Sequence, residues 1–372
     1  MRNRHTYFGE KIEKILWTLL RAALGDTECS LIGYEGVTPK DWNAVYDLAM
    51  TQGLTGIVFS AIERLPKMQM PPMDVLMDWL GQVEYMRTNY AKYAKIVCSF
   101  CDKMREAGIK AMVMKGYGCS LNYPIPSVRP CGDIDIFLME CGKKCDFHKG
   151  NKLIQDLLGL RLFSHGNHHS IFKYNGFIVE NHQTVLDINS HKSNLYLNTL
   201  LEEAAKECRE VEIDGKKIYL PSMRFNTIHL LRHMASDFAT FTTSLRHVID
   251  WATFIKQNDV DWQYVQEVAK EANMINFLDV INSICAYYLG YPSDMFPTIK
   301  ADLNLQRRVL DDILYNTDRP DIPANDITLI DKICYGMDKT IRMYHNRWKY
   351  NIVYDESLWD TFVSHATYCL KN

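Results

Sequence analysis

A change in hydrophobic periodicity divides this chain into three stretches and limits what it can fold into. Residues 10–106, and again the residues after Pro221, carry apolar side chains at the spacing of amphipathic helices. Between these stretches, short apolar runs are interrupted by Asn175-Gly176 and Asp214-Gly215. Such dipeptides between strand-like runs favour β-hairpin turns. The pattern predicts an α+β protein, with a small mixed β-sheet between helical regions.

The predicted elements follow the same patterns along the chain. We divide it into an N-terminal helical region, an α/β core and a C-terminal helical region, at residues 1–106, 107–220 and 221–372. Predicted helices cover Lys11–Leu24, Asp41–Ala49, a segment from Gly56, Pro72–Met104 and Asn151–Leu160. Predicted strands cover 109–114, 133–138, 170–174, 177–182 and a hairpin over 211–219, with one more short strand at Val185–Asn189. In the C-terminal region, helix breaks are predicted near Gly290–Pro292 and around Arg319–Ala324.

Composition and charge exclude several classes of protein. The chain has 372 residues and a formal net charge of −3, which gives no basic footprint for nucleic-acid binding. No apolar stretch reaches the ~18 residues of a membrane span. The eleven cysteines follow no regular framework, which favours reduced thiols. We therefore expect a soluble cytoplasmic protein with no membrane span.

Two aspartates separated by one residue open the second predicted strand. Because successive side chains of a strand point to opposite faces, Asp133 and Asp135 project to the same side, opposite the apolar Ile134 and Ile136. Paired carboxylates of this kind can hold Mg²⁺ or Mn²⁺, the ions that neutralise phosphate charge in group transfer. The pair therefore indicates a metal-dependent phosphate site.

A two-metal site needs a further carboxylate from a neighbouring strand. Glu180, on the second arm of the Asn-Gly hairpin, is the best candidate, and alternation places His182 on the same face. Asp187 also lies between hydrophobic residues and is the alternative third ligand. From spacing alone both remain open.

The segment before the aspartates supplies groups that suit phosphate. Gly116 breaks the first strand and is predicted to open a short helix, whose free backbone N–H groups favour anions. Lys115 adds a mobile positive charge. Arg129, four residues before Asp133, lies on a proline-rich loop that can fold over the same pocket. We predict that these three residues bind the nucleotide phosphates.

Three polar residues of the C-terminal helices are candidates for the other wall of a substrate cleft, together with His182. They are His233, Arg246 and Asp250. Arg246 and Asp250 are four residues apart, so an ion pair within one helix is the competing interpretation.

The motifs resemble the uncharacterised bacterial nucleotidyltransferase family of the DNA polymerase β-like superfamily. The resemblance lies in the runs Gly108–Gly116, Tyr123-Pro124 and Arg129–Ile136, and it extends over roughly residues 40–290. Val179-Glu180-Asn181-His182 fits the family's Val-Glu-x-His segment, which favours Glu180 over Asp187.

The resemblance implies a nucleotidyltransferase core, carboxylate-bound Mg²⁺ and an NTP, usually ATP, as donor. The enzyme would transfer a nucleoside monophosphate to an acceptor hydroxyl on an unknown small molecule, saccharide or protein. The superfamily's Gly-Ser motif reads Gly116-Tyr117 in this chain, so no serine hydroxyl follows the glycine. That departure raises the alternative of a catalytically silent nucleotide-binding or regulatory module. A phosphotransferase, which would release ADP, is a third hypothesis.

Overall fold

A computed structural model describes most of the chain. The described residues are 8–25, 27–32, 36–165, 169–189, 191–240, 243–297, 302–316, 337 and 340–363. Within them the fold is α+β, as the sequence predicts. Helical regions come before and after the segment that forms a mixed open sheet. None of the helices in these ranges is long and apolar enough to cross a membrane.

Seven α-helices of the described residues lie before residue 205 in the chain. They are α1 (Glu10–Gly25), α2 (Pro39–Thr51), α3 (Thr55–Ile62), α4 (Met73–Glu106), α5 (Gly116–Ser120), α6 (Phe147–Leu158) and α7 (Asn194–Ala204). The C-terminal helices are α8 (Met223–Thr240), α9 (Leu245–Gln257), α10 (Trp262–Glu271), α11 (Ile275–Tyr287) and α12 (Leu303–Tyr315). The helix Arg347–Val353 follows, with further helical residues at 340–345 before it and at 358–363 after it.

The sheet contains parallel and antiparallel pairs. Its strands are β1 (Lys110–Met114), β2 (Ile134–Glu140), β3 (Lys143–Lys144), β4 (Phe163–His165), β5 (His169–Tyr174), β6 (Phe177–His182), β7 (Arg209–Ile213) and β8 (Lys216–Leu220). Across the sheet the order is β4-β5-β6-β2-β1-β8-β7, with the short β3 paired to β2. β2 is parallel to β6 and antiparallel to β1, so the two strands with the predicted acids are direct neighbours.

Each face of the sheet packs on its own hydrophobic cluster. Ile134, Ile136 and Leu138 face the cluster that includes the second half of α4. Phe137 and Met139, on the opposite face, join the large cluster formed with the helices of both flanks. The alternation predicted for β2 is confirmed. It leaves Asp135 on the side of the sheet that the flanking helices cover.

Most predicted elements are confirmed, with shifted ends. Both hairpins form, and the residues of the Asn175-Gly176 turn have positive φ angles of 47° and 95°, as the tight turn requires. The helix predicted from Asn151 begins earlier, because the Asp146 side chain caps it through the Lys149 N–H at 2.8 Å. The break near Gly290–Pro292 is present, between α11 and a 3₁₀ turn.

The strand predicted at Val185–Asn189 is wrong. These residues, all in the described part of the chain, form bends and a turn instead of pairing with the sheet. The Asp187 side chain accepts a hydrogen bond from the backbone N–H of Asn189 at 3.0 Å, a local bond that competes with an extended ladder. The break predicted around Arg319–Ala324 lies outside the described residues.

A buried polar network ties the C-terminal segment to the start of α7. The Glu356 carboxylate accepts hydrogen bonds from His191 Nδ1 and Thr361 Oγ1, both at 2.7 Å, and from the Ser193 N–H at 3.1 Å. Burial opposes the charged form, but the hydrogen bonds from His191 and Thr361 lower the pKa of Glu356 to about 2. The carboxylate is therefore ionised at neutral pH and stabilises the fold.

The Glu356→Gln variant is expected to lower the free energy of unfolding by about 3 kcal/mol at pH 7. Because the folded-state pKa is depressed, this stability is present above pH 4.5 and is lost as pH falls towards 2. Urea unfolding of both proteins at several pH values measures the difference. The exposed neighbour variant Asp355→Asn is the control, and a difference independent of pH would contradict the assignment.

Candidate functional site

The sheet register brings the predicted acids together at its centre. Asp135 lies opposite Met114 at the end of β1 on one side and opposite Glu180 of β6 on the other. Neighbouring residues in register point to the same face. The site therefore follows from two strand pairings that join segments about 20 and about 45 residues apart along the chain.

Asp135 is the central residue of the site. Its buried Oδ1 lies 2.9 Å from His182 Nε2 and 3.4 Å from Lys115 Nζ. Burial opposes the charged form, but the Lys115 charge and the His182 hydrogen bond together lower the pKa of Asp135 well below its usual range. A buried carboxylate held ionised in this way is ready to bind a cation.

Glu180 completes a compact donor set with Asp135 and His182. One ligand atom from each lies within 4.8 Å of the others. Burial and the charges of Asp135 and Asp133 raise the pKa of Glu180. Crowded like charges of this kind are relieved when a cation binds between them. Asp187, the alternative ligand, lies outside this group.

Asp133 differs from Asp135 in its surroundings. It lies just before β2, where its side chain is exposed and lines the same cleft as Asp135. Its backbone carbonyl accepts a hydrogen bond from the Tyr93 hydroxyl at 2.8 Å, which fixes the entry to β2. Partial desolvation in the cleft and the Asp135 charge raise the pKa of the Asp133 carboxyl. The predicted pair therefore consists of the buried carboxylate of Asp135 and the exposed carboxylate of Asp133.

The Lys115-Gly116 turn directs the lysine at the acids. Lys115 has a φ of 47°, a left-handed conformation unusual for a residue with a side chain. A Cβ at Gly116 would lie 2.9 Å from the Tyr93 hydroxyl oxygen, so only glycine fits beside that hydrogen bond. Although desolvation opposes it, the charges of Asp135, Asp237 and Asp133 raise the pKa of Lys115. The helix that follows, α5, is a single turn.

Arg129 forms a buried ion pair with Asp250. Its Nε and Nη2 donate to the two carboxylate oxygens of Asp250 at 2.7 and 2.8 Å, with both side chains buried. The Tyr123 hydroxyl donates to the same carboxylate at 2.7 Å. The competing interpretation, an ion pair between Arg246 and Asp250 within α9, is wrong, because in the described structure Asp250 pairs with Arg129 instead. Arg129 lines the cleft, but its planar fork is occupied.

Arg246 and His233 lie on the opposite wall of the cleft. They line the same cavity of about 140 Å³ as Lys115, Asp133 and Asp135. The buried Nε of Arg246 has no hydrogen-bond partner among the described residues, and the arginine stem passes 3.4 Å from where a Cβ of Gly53 would lie. The predicted cleft residues His233, Arg246 and Asp250 are therefore brought to one cavity with the Asp133–Asp135 pair.

Several residues at the site have no signal in the sequence. Tyr93 lies in a long helix, where nothing marks it apart from ordinary core aromatics. Tyr123 belongs to the Tyr123-Pro124 run of the resemblance, but the sequence predicts no role for its hydroxyl. His169 stacks near His182, with ring centroids 5.5 Å apart, across the β5–β6 hairpin. His247 and Asp237 approach the cleft from α9 and α8. Only the fold brings these groups together.

The donor set suits a divalent cation. Two carboxylates and an imidazole are oxygen and nitrogen ligands that Mg²⁺ and Mn²⁺ accept, and the imidazole inclines the set towards Mn²⁺. The repulsion that raises the pKa of Glu180 supplies the electrostatic reason for a cation between these groups. Asp133 offers a further carboxylate from the open side of the cleft.

Comparison with known proteins places this fold and site in a family. The model of a family described as "Uncharacterised nucleotidyltransferase" matches residues 38–290, more than half of the chain. The chain belongs to this nucleotidyltransferase family. The match includes every predicted site residue, from Lys115 to Asp250, and all eight strands.

Other comparisons add less. No curated protein matches the chain. Among solved structures, the chain is similar to an antigenic nucleotidyltransferase-like protein from Paracoccidioides brasiliensis. The two share 16% sequence identity and a TM-score of 0.34 over 47% of this chain and 84% of that one.

Proposed function

We propose that this chain is a metal-dependent nucleotidyltransferase that uses ATP or another NTP as donor. It would transfer a nucleoside monophosphate to a hydroxyl group of a small molecule, a saccharide or a protein. The observation that carries the proposal is the group formed by Asp135, Glu180 and His182 beside the Lys115 ammonium. Membership in the nucleotidyltransferase family supports the same reaction class.

The role proposed for each residue follows from its position in the site. Asp135, Glu180 and His182 hold the cation from the sheet, and Asp133 adds a carboxylate from the open side. Bound Mg²⁺ or Mn²⁺ supplies the positive charge that phosphoryl oxygens need as the bond to the leaving pyrophosphate breaks. Lys115 contacts a phosphate oxygen once nucleotide competes with Asp135 for its ammonium. Arg246, which lines the opposite wall, binds anionic oxygens from that side.

The cavity limits how the nucleotide binds. Its volume of about 140 Å³ is below the roughly 300–1,000 Å³ of pockets that enclose a whole drug-sized ligand. The charged residues that line it suit the triphosphate, so the sugar and base extend towards the cleft mouth. The acceptor hydroxyl then approaches the α-phosphorus on the side of Asp133, whose exposed carboxylate can accept its proton.

A direct test measures Mn²⁺-dependent ATP binding and the products formed from labelled ATP with pools of candidate acceptors. We expect binding that requires the metal, and pyrophosphate release with an acceptor that becomes labelled. The double variant Asp133→Ala plus Asp135→Ala should lose both. Absence of metal-dependent nucleotide binding by the intact protein would refute the proposal, and ADP as the product would indicate phosphotransfer.

The second candidate function is a catalytically silent nucleotide-binding module. Tyr117 follows Gly116 and is buried, so the turn offers no hydroxyl to the phosphates. Ser120 cannot replace it, because its buried Oγ donates to the Tyr117 carbonyl at 2.6 Å and lies 2.9 Å from the Tyr90 hydroxyl. Metal-dependent binding without any pyrophosphate release, across all acceptor pools, would favour this function.

The Lys115→Gln variant tests the phosphate contact. We expect its affinity for Mn²⁺·ATP to fall about ten- to a hundredfold, because one charge-assisted contact is lost and Asp135 loses a cationic neighbour. Isothermal titration of ATP into the metal-loaded protein measures the change. Lys103→Gln, an exposed lysine on α4, is the matched control and should bind ATP normally. Equal affinity in Lys115→Gln would contradict the role of this lysine.

A further inference from the structure

A second group of metal-ligand side chains lies on the helical wall of the cleft. His233 and Asp237 are one turn apart on α8, and His247 is in the first turn of α9. Their ligand atoms all lie within 4.8 Å of one another. Each side chain is partly exposed, by 29%, 36% and 14% respectively, so a metal ion in solution can reach the group.

The separations in this group fit a metal ion better than hydrogen bonds. Asp237 Oδ2 lies 3.6 Å from His233 Nε2 and 3.7 Å from His247 Nε2. Both distances exceed the hydrogen-bond range. At the usual zinc–nitrogen and zinc–oxygen bond lengths, two ligands of a tetrahedral ion are about 3.4 Å apart. A shift of a few tenths of an ångström would therefore bring Asp237 to ligand distance with each histidine, and all three ligand atoms already lie within 4.8 Å of one another.

The contacts of His247 define what metal binding through Nε2 requires. Its Nδ1 lies 3.0 Å from the hydroxyl of the buried Thr243 and 3.3 Å from the Ser244 N–H. Nε2 lies 3.5 Å from Arg246 Nη2. A metal ion on Nε2 would displace that guanidinium, and the ring would then donate its Nδ1 proton to Thr243 Oγ1 instead of accepting a hydrogen bond from the Ser244 N–H. A hydrogen bond to the second nitrogen is what orients a histidine ligand.

We propose that His233, Asp237 and His247 form a second divalent-metal site, which binds a transition-metal ion such as Zn²⁺. Two imidazoles and one carboxylate prefer zinc or its neighbours to Mg²⁺, which takes oxygen ligands. Three protein ligands leave a position of a four-coordinate ion for water or substrate. His233 and His247 line the same cavity as Asp135, so that position is within reach of a molecule bound there.

The site is separate from the carboxylate site on the sheet and does not depend on the proposed function. Its members come from α8 and α9, whereas Asp135, Glu180 and His182 come from β2 and β6. The two groups interact through Lys115, because both Asp135 and Asp237 raise the pKa of that lysine. Because the two sites share no ligand, loss of one should leave metal binding at the other.

Crystals of the full chain soaked in Zn²⁺ give the direct test. We expect an anomalous difference peak about 2.0–2.2 Å from His233 Nε2, Asp237 Oδ2 and His247 Nε2. A map with no peak between these three side chains would overturn the proposal, whether or not zinc appears beside Asp135.

Co²⁺ titration of the full chain in solution gives the second test. Asp237→Asn and His233→Asn should each bind one Co²⁺ fewer than the unsubstituted protein, with thermal unfolding confirming that they fold. The Asp135→Asn plus Glu180→Gln variant should retain that ion, as should His148→Ala, which removes an exposed histidine of α6. Unchanged stoichiometry in both α8 variants would overturn the site, as would a thiolate–cobalt absorption band for the ion in question.

Discussion

Replacing Asp135 with asparagine is expected to lower nucleotidyl transfer by at least about a thousandfold. The Asp135 carboxylate contacts both His182 and Lys115 in the described structure, at 2.9 and 3.4 Å. Loss of its charge removes a metal ligand and releases the lysine. Removal of a single transition-state hydrogen-bond donor already costs about 100- to 1000-fold, and a metal ligand contributes more.

The Asp135→Asn variant should still fold. The substitution removes a partner of Lys115, but it also removes the charge that raises the pKa of both Asp133 and Glu180. Because the strongly lowered pKa of Asp135 means that its charge also stabilises the folded state, some loss of stability is expected, and thermal unfolding must show that the variant is folded at the assay temperature. Asp156→Asn, an exposed aspartate of α6, is the matched control for activity. Transfer within tenfold of normal in a folded Asp135→Asn protein would exclude this residue as a metal ligand.

Local sequence patterns placed β1, β2 and both hairpins, together with the acids on them, but not the short strands β3 and β4. Alternation along β2 put Asp133 and Asp135 opposite Ile134 and Ile136, and the two-residue hairpin turn set the register of β6. What alternation does not give is the order of strands in the sheet. Spacing makes Glu180 the best candidate for the third ligand but leaves Asp187 open, and the resemblance favours Glu180. The parallel pairing of β2 with β6 supplies the physical reason.

The interpretation of Arg129 shows where local reasoning stops. From spacing, Arg246 and Asp250 suit an ion pair within one helix, and Arg129 suits a loop over the phosphates. The partner of Asp250 is instead set by packing between α9 and the loop before β2, about 120 residues away in the chain. Helical spacing states which side chains share a face, but it does not state what lies opposite that face. Arg246 forms no ion pair with Asp250 among the described residues and lines the cleft, whereas both edges of the Arg129 fork that face Asp250 are occupied.

The Asp250→Ala variant is expected to lower the free energy of unfolding by about 3–5 kcal/mol. Arg129 would remain buried and charged without its bidentate partner, the most costly way to break a buried ion pair. Tyr123 would also lose its hydrogen-bond acceptor. Asp250→Asn keeps the shape and part of the hydrogen bonding, so its loss of stability should be smaller. Urea unfolding followed by circular dichroism measures all three proteins.

A double-mutant cycle separates the pair from the rest of the packing. Arg129→Met combined with Asp250→Ala should destabilise the protein by less than the sum of the single changes, because no buried charge is left alone. Glu84→Ala, which removes one exposed partner of Arg87, is the control and should change stability by less than about 1 kcal/mol. A cost below about 1 kcal/mol for Asp250→Ala would show that the pair does not hold the loop. The loop leads directly into Asp133, so its anchorage to α9 connects the stability of the helical region to the geometry of the acidic strand.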